Sequence, residues 1–421
     1  LALTALTVGA ASGASEPPGL HAALDRLARE QKFSGAVVVR DARGVLFARG
    51  YGPADPFTGR AFTPDTPVDS ASLAKPVTHA AVLMLAHDGK LDLDAPVRRY
   101  LPEFPQAQTT VRHLLAHSAG LSADESASAI VGKTNEALLA EARLRPTMFE
   151  PGSRFTYCNL CSIALAMVIE RVSGSHYLDF ARDRLMLPSG VTVRPRSLAS
   201  WAGRGVGYRR TADGRLEPAD SYEDERFYGP GNLSISASQL ASWGARWWRG
   251  PLTTIRAIAT TPSVIAGKPS GLTWGNWNCA PRGRRCHYLG HHEGFHHMLY
   301  WDADRRMSVA MVSNNTLAPA LQQRLQRALV AYATGRPSTA RRELAEPLPE
   351  RAVLPGRYRL PTGEIVAVRS KADAPATVER AGIEYPAYPI GTGIRYVPGL
   401  DVYLAGGPGG RLHWLSLYED F

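Results

Sequence analysis

The sequence predicts an α+β fold, an antiparallel sheet flanked by helices, with a small all-β module at the C-terminal end. Two observations support this prediction. β-rich runs stand at both ends of the first 335 residues with helical patterns between them, and short strand-like runs separated by Gly and Pro follow residue 350. The length of 421 residues also exceeds that of one ordinary domain.

The expected sheet joins runs that are far apart in the chain. Two early β-rich runs, residues 34–40 and 44–50, are connected by a turn at Asp41-Ala-Arg-Gly44. Late strand-like runs cover residues 286–290, 295–301 and 308–313. Because the helical patterns lie between the two groups, we expect one mixed domain whose sheet unites early and late strands.

Helices are predicted where apolar residues recur at helical spacing. The strongest patterns cover residues 76–89, 160–173 and 318–334. Residues 335–350 are rich in Pro, Arg and Glu and have the composition of a linker, so we place domain boundaries at 16–335, 336–350 and 351–421. The last segment contains short strands at the rhythm of a small all-β fold.

The first residues resemble the second half of a secretory signal. Residues 1–10 are apolar, and small residues then lead to Glu16-Pro-Pro18. We interpret residues 1–15 as a signal-peptide remnant and expect a secreted or periplasmic protein. No stretch reaches eighteen consecutive apolar residues, so we expect no integral membrane span.

The chain is basic, with a formal net charge of +10 and a pI of about 9.5. Only six of its 48 basic residues are lysine, and no dense basic run is interleaved with aromatic residues. The charge therefore indicates an arginine-rich solvated surface, and we expect no nucleic-acid partner.

The four cysteines are compatible with an oxidising compartment. Cys279 and Cys286 bracket a turn-like stretch that a disulfide would close. Cys158 and Cys161 stand at a predicted helix start, where a redox pair, a disulfide and two free thiols all remain open. A zinc site is disfavoured because a second Cys-x-x-Cys is missing from the sequence.

Ser72-Leu-Ala-Lys75 is the only Ser-x-x-Lys in the sequence. Residues three apart at a helix start share a face, so the Lys75 amine can lie beside the Ser72 hydroxyl. Helix-end N–H groups would stabilise a developing anion. Lysine acts as a base only when burial or a second cation lowers its pKa, and the apolar flanks permit this.

Tyr157-Cys-Asn159, the only Tyr-x-Asn, follows a Pro-Gly turn and precedes a predicted helix. A phenol held there can relay a proton between Ser72, Lys75 and a leaving group, and the Asn159 amide can bind a substrate amide. Ser72, Lys75 and Tyr157 are therefore the predicted catalytic residues, and Asn159 is a predicted substrate-binding residue.

These motifs and their order resemble the large family of serine β-lactamases, D-alanyl-D-alanine carboxypeptidases and related esterases, of the class C type. The matching stretches are residues 68–75, 88–96, 100–104, 113–121, 150–159 and 229–236. The resemblance implies a β-lactamase/transpeptidase-like fold with a helical subdomain. The C-terminal module resembles the lipocalin-like barrels that some members carry.

The third motif of that family is Lys-Thr-Gly or His-x-Gly on an edge strand. Here we expect it at His292-Glu-Gly294, with His291 as the alternative for the cationic role. Family members usually place several residues between this motif and a following Gly-Phe, and we expect this chain to have lost them. Five nearby histidines, between His287 and His297, would be split between two strand faces, so we predict no metal.

The predicted reaction is acyl transfer in two steps. Ser72 attacks a carbonyl carbon, Lys75 and Tyr157 move the proton, and water releases the acyl group. The oxyanion is expected at the Ser72 N–H and an N–H near Gly294 or Phe295. Whether Lys75 or Tyr157 is the base stays open, and no cofactor is implied.

The predicted function is that of a serine hydrolase acting on an amide or ester. Candidate substrates are a D-alanyl peptide of the cell wall, a small ester and a β-lactam, all small molecules or peptides. The alternative is a catalytically weak penicillin-binding or ligand-binding protein that recognises its ligand with the C-terminal β module. A histidine third motif predicts weak β-lactam turnover, because histidine is charged only below a pKa near 6.5.

Overall fold

The computed structural model contains a central sheet in which the first strands of the chain pair with much later ones. It describes residues 19–122, 132–189, 194–195, 203–211, 215–219, 227–231, 233–280, 283–292, 294–317, 319–336, 338, 340, 353–360, 365–371, 374–380, 383–391, 394–397, 402–406 and 412–416. The proposed signal remnant and nearly all of the proposed linker lie outside these residues.

The helices are α1 Leu20–Arg29, α2 Ala74–His87, α3 Val111–Leu115, α4 Asn135–Ala142, α5 Asn159–Ser173, α6 Tyr177–Ala181, α7 Ala237–Ala245, α8 Arg256–Ala259 and α9 Pro319–Ala333. Shorter helical turns cover Ala71–Leu73, Val97–Arg99, Arg182–Met186, Leu187–Ser189 and Pro251–Thr253. The three predicted helices correspond to α2, α5 and α9.

The strands of the large domain are β1 Gly35–Arg40, β2 Val45–Tyr51, β3 Pro53–Asp55, β4 Arg60–Ala61, β5 Val68–Asp69, β6 Arg194–Pro195, β7 Tyr208–Arg210, β8 Leu216–Pro218, β9 Leu233–Ile235, β10 Pro262–Ile265, β11 Lys268–Thr273, β12 Asn278–Cys279, β13 Arg285–His292, β14 Phe295–Asp302 and β15 Met307–Ser313. The C-terminal strands are β16 Gly356–Arg359, β17 Ile365–Lys371, β18 Ala374–Arg380, β19 Ile383–Gly391, β20 Ile394–Val397, β21 Val402–Gly406 and β22 Leu412–Ser416.

The central sheet has the order β12-β13-β14-β15-β1-β2. β1 pairs with β15 in antiparallel register from Gly35↔Ser313 to Arg40↔Ser308. β13, β14 and β15 follow one another as antiparallel neighbours. The predicted sheet of early and late strands is therefore present.

The two faces of this sheet belong to different cores. α1 and α9 cover one face, where Leu24, Val37 and Leu325 are buried together. α2, α5 and α7 contribute to the core on the other face, which also contains four tryptophans packed ring against ring. Large aromatic side chains each bury much apolar area. This second core therefore forms a well-packed support for the site.

α2 and α5 pack against each other inside the second core. Both are apolar on nearly every side, as expected for helices without a solvent face. α5 begins at the N-cap Cys158, whose Sγ accepts the Cys161 N–H across 2.9 Å, and ends at Gly174 with a φ of 70°. Cys158, directly after Tyr157, therefore caps this helix.

The seven C-terminal strands form a separate sheet in which each strand pairs with the next, from β16 to β22. Val366, Val378 and Leu404 belong to its small core. The predicted all-β module is therefore seen as a meander of strands. Its closure into a barrel and the domain boundaries stay predictions. Among the described residues, no helix is long and apolar enough to cross a membrane.

Candidate active site

Ser72 lies on a short turn, Ala71–Leu73, that runs directly into α2. Ala71 has a φ of 47°, in the left-handed region that side-chain-bearing residues rarely adopt, so the backbone just before Ser72 is strained. The Ala71 N–H donates to the Asp69 carboxylate across 2.9 Å. This hydrogen bond holds the turn in its unusual conformation.

Lys75 occupies the first turn of α2 and is only 1% exposed. Its Nζ donates to Ser72 Oγ across 3.0 Å and to the carbonyl oxygen of Pro230 across 3.1 Å. The serine and the lysine of the Ser-x-x-Lys motif are therefore in direct contact. A buried amine held this way keeps a fixed position beside the hydroxyl.

Tyr157 reaches the same oxygen from the segment before α5. Its hydroxyl donates to Ser72 Oγ across 2.8 Å, and the Lys75 Nζ lies 4.6 Å from the centre of its ring. Ser72 Oγ thus meets an amine and a phenol at once. Either group, in its deprotonated form as a neutral amine or a phenolate, is placed to take the proton of the serine as its oxygen attacks a carbonyl carbon.

Asn159 is the first residue of α5, two positions after Tyr157, and its side chain is partly exposed. Asn159 therefore lies close to Tyr157 in the chain, at the start of α5. Its predicted part in substrate binding stays a prediction.

Strand β13 passes directly beside the nucleophile turn. A Cβ on Gly290 would lie 2.9 Å from the Leu73 nitrogen and 3.0 Å from the Ser70 carbonyl oxygen, so only glycine fits there. Tyr288, two residues earlier and on the same strand face, is fully buried, and its hydroxyl accepts a hydrogen bond from Asn276 Nδ2 at 3.1 Å.

A family model described as Beta-lactamase matches residues 20–333. The chain belongs to the Beta-lactamase family. This confirms the family, a family of serine hydrolases, that the ordered motifs indicated. The match covers every candidate catalytic residue and ends before the C-terminal strands.

Three curated relatives of the Beta-lactamase type can be compared in sequence. Penicillin-binding protein 4* of Bacillus subtilis is 29% identical over 181 residues, 41% of this chain and 40% of that protein. Esterase EstB of Burkholderia gladioli is 34% identical over 193 residues, 41% and 48% of the two chains. A D-aminopeptidase of Cereibacter sphaeroides is 28% identical over 317 residues, 70% and 60%. The chain therefore spans from two fifths to three fifths of these relatives' own length.

Solved structures confirm the predicted fold class. SurE has a TM-score of 0.64 at 24% identity, covering 93% of this chain and 92% of that one. The octameric penicillin-binding protein homologue from Pyrococcus abyssi has a TM-score of 0.65 at 22% identity, with 94% of each chain covered. At such identities the likeness establishes the fold.

Of the residues expected to form the third Beta-lactamase motif, His292 ends β13 and Gly294 follows in the turn to β14. Gly294 has a φ of 83° and packs against Gly207 and Tyr208. Its N–H donates to Thr316 Oγ1 across 3.2 Å, so we do not assign it to the oxyanion hole. Gly294 thus lies in the turn between β13 and β14, away from the contact that β13 makes with the nucleophile turn.

Tyr288-Leu-Gly290 fits that place better, because Gly290 packs on the nucleophile turn. It leaves three residues before Gly294-Phe295, so the spacer that we expected to be lost is present. Tyrosine lacks the cationic side chain that is typical of this motif, so its residue type does not mark the position in the sequence. The useful signal was the spacing from Gly294-Phe295 back to a glycine.

The neighbouring histidines are split between the two faces of the sheet, as the strand period requires. The His291 ring lies 5.7 Å from that of His296, which bonds Gln322 on α9 behind the sheet. The His292 ring lies 6.5 Å from that of Phe295, a residue of the second core. Of the two alternatives, His292 is on the side of Ser72. Among the described residues no group of three metal-binding side chains converges.

Cys279 and Cys286 are joined by a disulfide that links the paired strands β12 and β13. Cys158 and Cys161 form a second disulfide at the start of α5. The first is the pairing expected from the sequence. Of the alternatives that were open for the second pair, the structure contains the disulfide.

Proposed function

We propose that the chain is a serine hydrolase that forms an acyl-enzyme on Ser72. The single observation that carries the proposal is the double hydrogen bond at Ser72 Oγ, from Lys75 Nζ at 3.0 Å and Tyr157 OH at 2.8 Å. A hydroxyl between a buried amine and a phenol can lose its proton as it attacks, because either neighbour accepts that proton once it is itself deprotonated.

The proposed reaction has two steps, acylation of Ser72 and hydrolysis of the acyl-enzyme. Ser72 Oγ attacks the substrate carbonyl carbon, and its proton passes through Lys75 and Tyr157 to the leaving amine or alcohol. Water then attacks the acyl-enzyme, delivers one proton back to Ser72 and releases the acid. The tetrahedral oxyanion of each step is proposed to bind the Ser72 N–H and a backbone N–H of β13, the strand against which the nucleophile turn packs.

Small esters and peptides are the proposed substrates, in preference to β-lactams. The family's third motif usually supplies a cation for the substrate carboxylate, whereas the strand beside Ser72 has the buried Tyr288, which is not a cation, two residues before Gly290. The names of the relatives, an esterase and a D-aminopeptidase, agree with this choice. Two disulfides also support the proposal of a secreted or periplasmic location.

Intact-protein mass spectrometry tests the proposal. A fluorophosphonate probe should add one mass label to the wild-type protein and none to Ser72→Ala. Turnover of p-nitrophenyl acetate should be lost in the same variant. Labelling of Ser72→Ala at the wild-type rate would show that another residue is the nucleophile and would rule out Ser72.

The substrate preference is tested with the same preparation. We expect measurable p-nitrophenyl acetate hydrolysis and a nitrocefin kcat/KM below about 10⁴ M⁻¹s⁻¹, under the usual range of evolved enzymes. A nitrocefin value of about 10⁶ M⁻¹s⁻¹ or more would contradict the preference and leave the Ser72 assignment standing.

A further inference from the structure

Three aromatic rings are stacked beneath the candidate catalytic site. The ring of Tyr157 lies 5.2 Å from that of His117 at an interplanar angle of 10°, and His117 lies 5.7 Å from His79 at 17°. Both histidines are buried, with exposures of 1% and 0%. His79 lies on α2 one turn after Lys75, so the stack connects the tyrosine to the lysine's helix.

His117 also binds the backbone on both sides of Tyr157. Its Nδ1 accepts the Cys158 N–H across 3.0 Å, and its carbonyl oxygen accepts the Thr156 N–H across 2.9 Å. Tyr157 is thus held through both chain neighbours and through its ring. Because Nδ1 is an acceptor, the ring proton of His117 is on Nε2.

Asn276 lies between this histidine and strand β13. Among the described residues, Nε2 of His117 and Oδ1 of Asn276 are both buried without a hydrogen-bond partner, and the Asn276 side chain opposes the lowering of the His117 pKa. Asn276 Nδ2 donates to the Tyr288 hydroxyl at 3.1 Å. Asn276 is therefore hydrogen-bonded to Tyr288 of β13 and lies near His117.

Burial, together with the nearby His79 and Lys75, holds the pKa of His117 well below its ordinary value. Burial likewise lowers the pKa of His79 to about 3. A second positive charge beside Lys75 would be costly in this buried setting. The two imidazoles of the stack are therefore neutral near pH 7.

We propose that His117 is a positioning residue for Tyr157, a neutral imidazole that fixes the direction of the phenol toward Ser72 Oγ. The inference rests on the proposed function and deepens it. His117 does not touch the reacting atoms in this account. It acts by stacking on the Tyr157 ring and by accepting the Cys158 N–H.

Two substitutions separate these contributions. His117→Phe keeps a stacked ring and loses the nitrogen acceptor, and we expect kcat to fall about 10-fold. His117→Ala loses both contributions, and we expect a loss of about 100-fold, with KM for p-nitrophenyl acetate changed less than about threefold. His296→Gln, a buried histidine behind the sheet, is the control for lost stability without lost rate.

A double-mutant cycle with Tyr157→Phe decides whether His117 acts through the phenol. If it does, His117→Phe should cost little further in the Tyr157→Phe background. Equal losses in both backgrounds, or an unchanged kcat in a folded His117→Ala, would overturn the inference. Fluorophosphonate labelling of the wild type is measured in parallel, so failure of the proposed function shows as no labelling at all.

Discussion

The imidazole Nε2 of His297 donates to the carbonyl oxygen of Asp69 across 2.6 Å, just before the turn that carries Ser72. The direction follows from the other ring nitrogen, because Nδ1 accepts the Ser313 N–H at 3.3 Å. Asp69 in turn accepts the N–H of the strained Ala71. His297 of β14 therefore supports the segment that leads into the nucleophile turn.

His297→Ala should weaken this support. The Asp69 carbonyl would lose its buried donor, and a cavity would form, so we expect a loss of about 2–4 kcal/mol in the free energy of unfolding. The strained turn should also relax, and fluorophosphonate labelling of Ser72 should slow by about tenfold. Urea unfolding and labelling time courses measure the two effects. His296→Ala is the matched control, and equal labelling rates in both variants would refute the role.

Stability should fall steeply on acidification. Burial lowers the pKa of His296 and His79 to about 3 and that of His297 to about 4, against about 6.5 in the unfolded chain. The unfolded state therefore binds protons first, and stability present above pH 6.5 is lost as the pH falls toward 4. Each histidine should lower the free energy of unfolding by about 1.4 kcal/mol for every pH unit between about pH 6 and its pKa in the folded state.

His296→Gln isolates one of these contributions. Its urea unfolding free energy, measured at pH 7, 6 and 5, should depend less on pH than that of the wild type. An identical slope in both proteins would show that His296 is not held neutral in the folded state.

Gly290→Ala should damage the site directly. The added Cβ would meet backbone atoms of Leu73 and Ser70 at 2.9 and 3.0 Å, and backbone cannot swing aside as a side chain does. We expect Ser72 labelling to fall at least about tenfold, with a loss of about 1–3 kcal/mol in stability. Gly356→Ala, where the nearest atom is 3.5 Å away, is the control. A normal labelling rate in Gly290→Ala would contradict the close packing of β13 on the nucleophile turn.

The Cys158–Cys161 disulfide should matter for Tyr157 more than the Cys279–Cys286 disulfide does. Cys158 caps α5 with its sulfur, and its N–H holds His117. The double variant Cys158→Ala, Cys161→Ala should lose the cap, about 1 kcal/mol, and slow labelling severalfold. In Cys158→Ser, Cys161→Ala the serine can cap the helix and should restore part of the loss. Cys279→Ala, Cys286→Ala should lower stability with little effect on labelling, and the reverse ranking would contradict this.

The long elements of the fold follow from the sequence, whereas the third motif depends on contacts that only the folded chain contains. The helix predicted at residues 76–89 is Ala74–His87, because the turn at Ala71–Leu73 leads into it before Pro76. β18 and β19 were not predicted, since Pro375, Pro386 and Pro389 interrupt their pattern of alternating residues. Local spacing brought out Ser72, Lys75 and Tyr157, whose contacts depend on one helix start and one turn.

The supporting residues could not be found in this way. His117 and Asn276 matter through a ring stack and a buried amide, and neither leaves a periodic pattern. Tyr288 lacks the charge by which the third motif was sought. Each of these contacts joins parts of the chain that are far apart, so only the folded backbone brings them together.

The pairing of β1 with β15 has a consequence for how the protein is made. The Ser34 N–H donates to Asn315 Oδ1 across a separation of 281 residues, and His297 meets Asp69 across 228. A chain emerging from the ribosome therefore carries its serine, lysine and tyrosine long before the strand that supports them. Such non-local closure is slow. The nascent chain should thus be inactive until its last sheet strands appear, and its two early strands will be exposed to association until then.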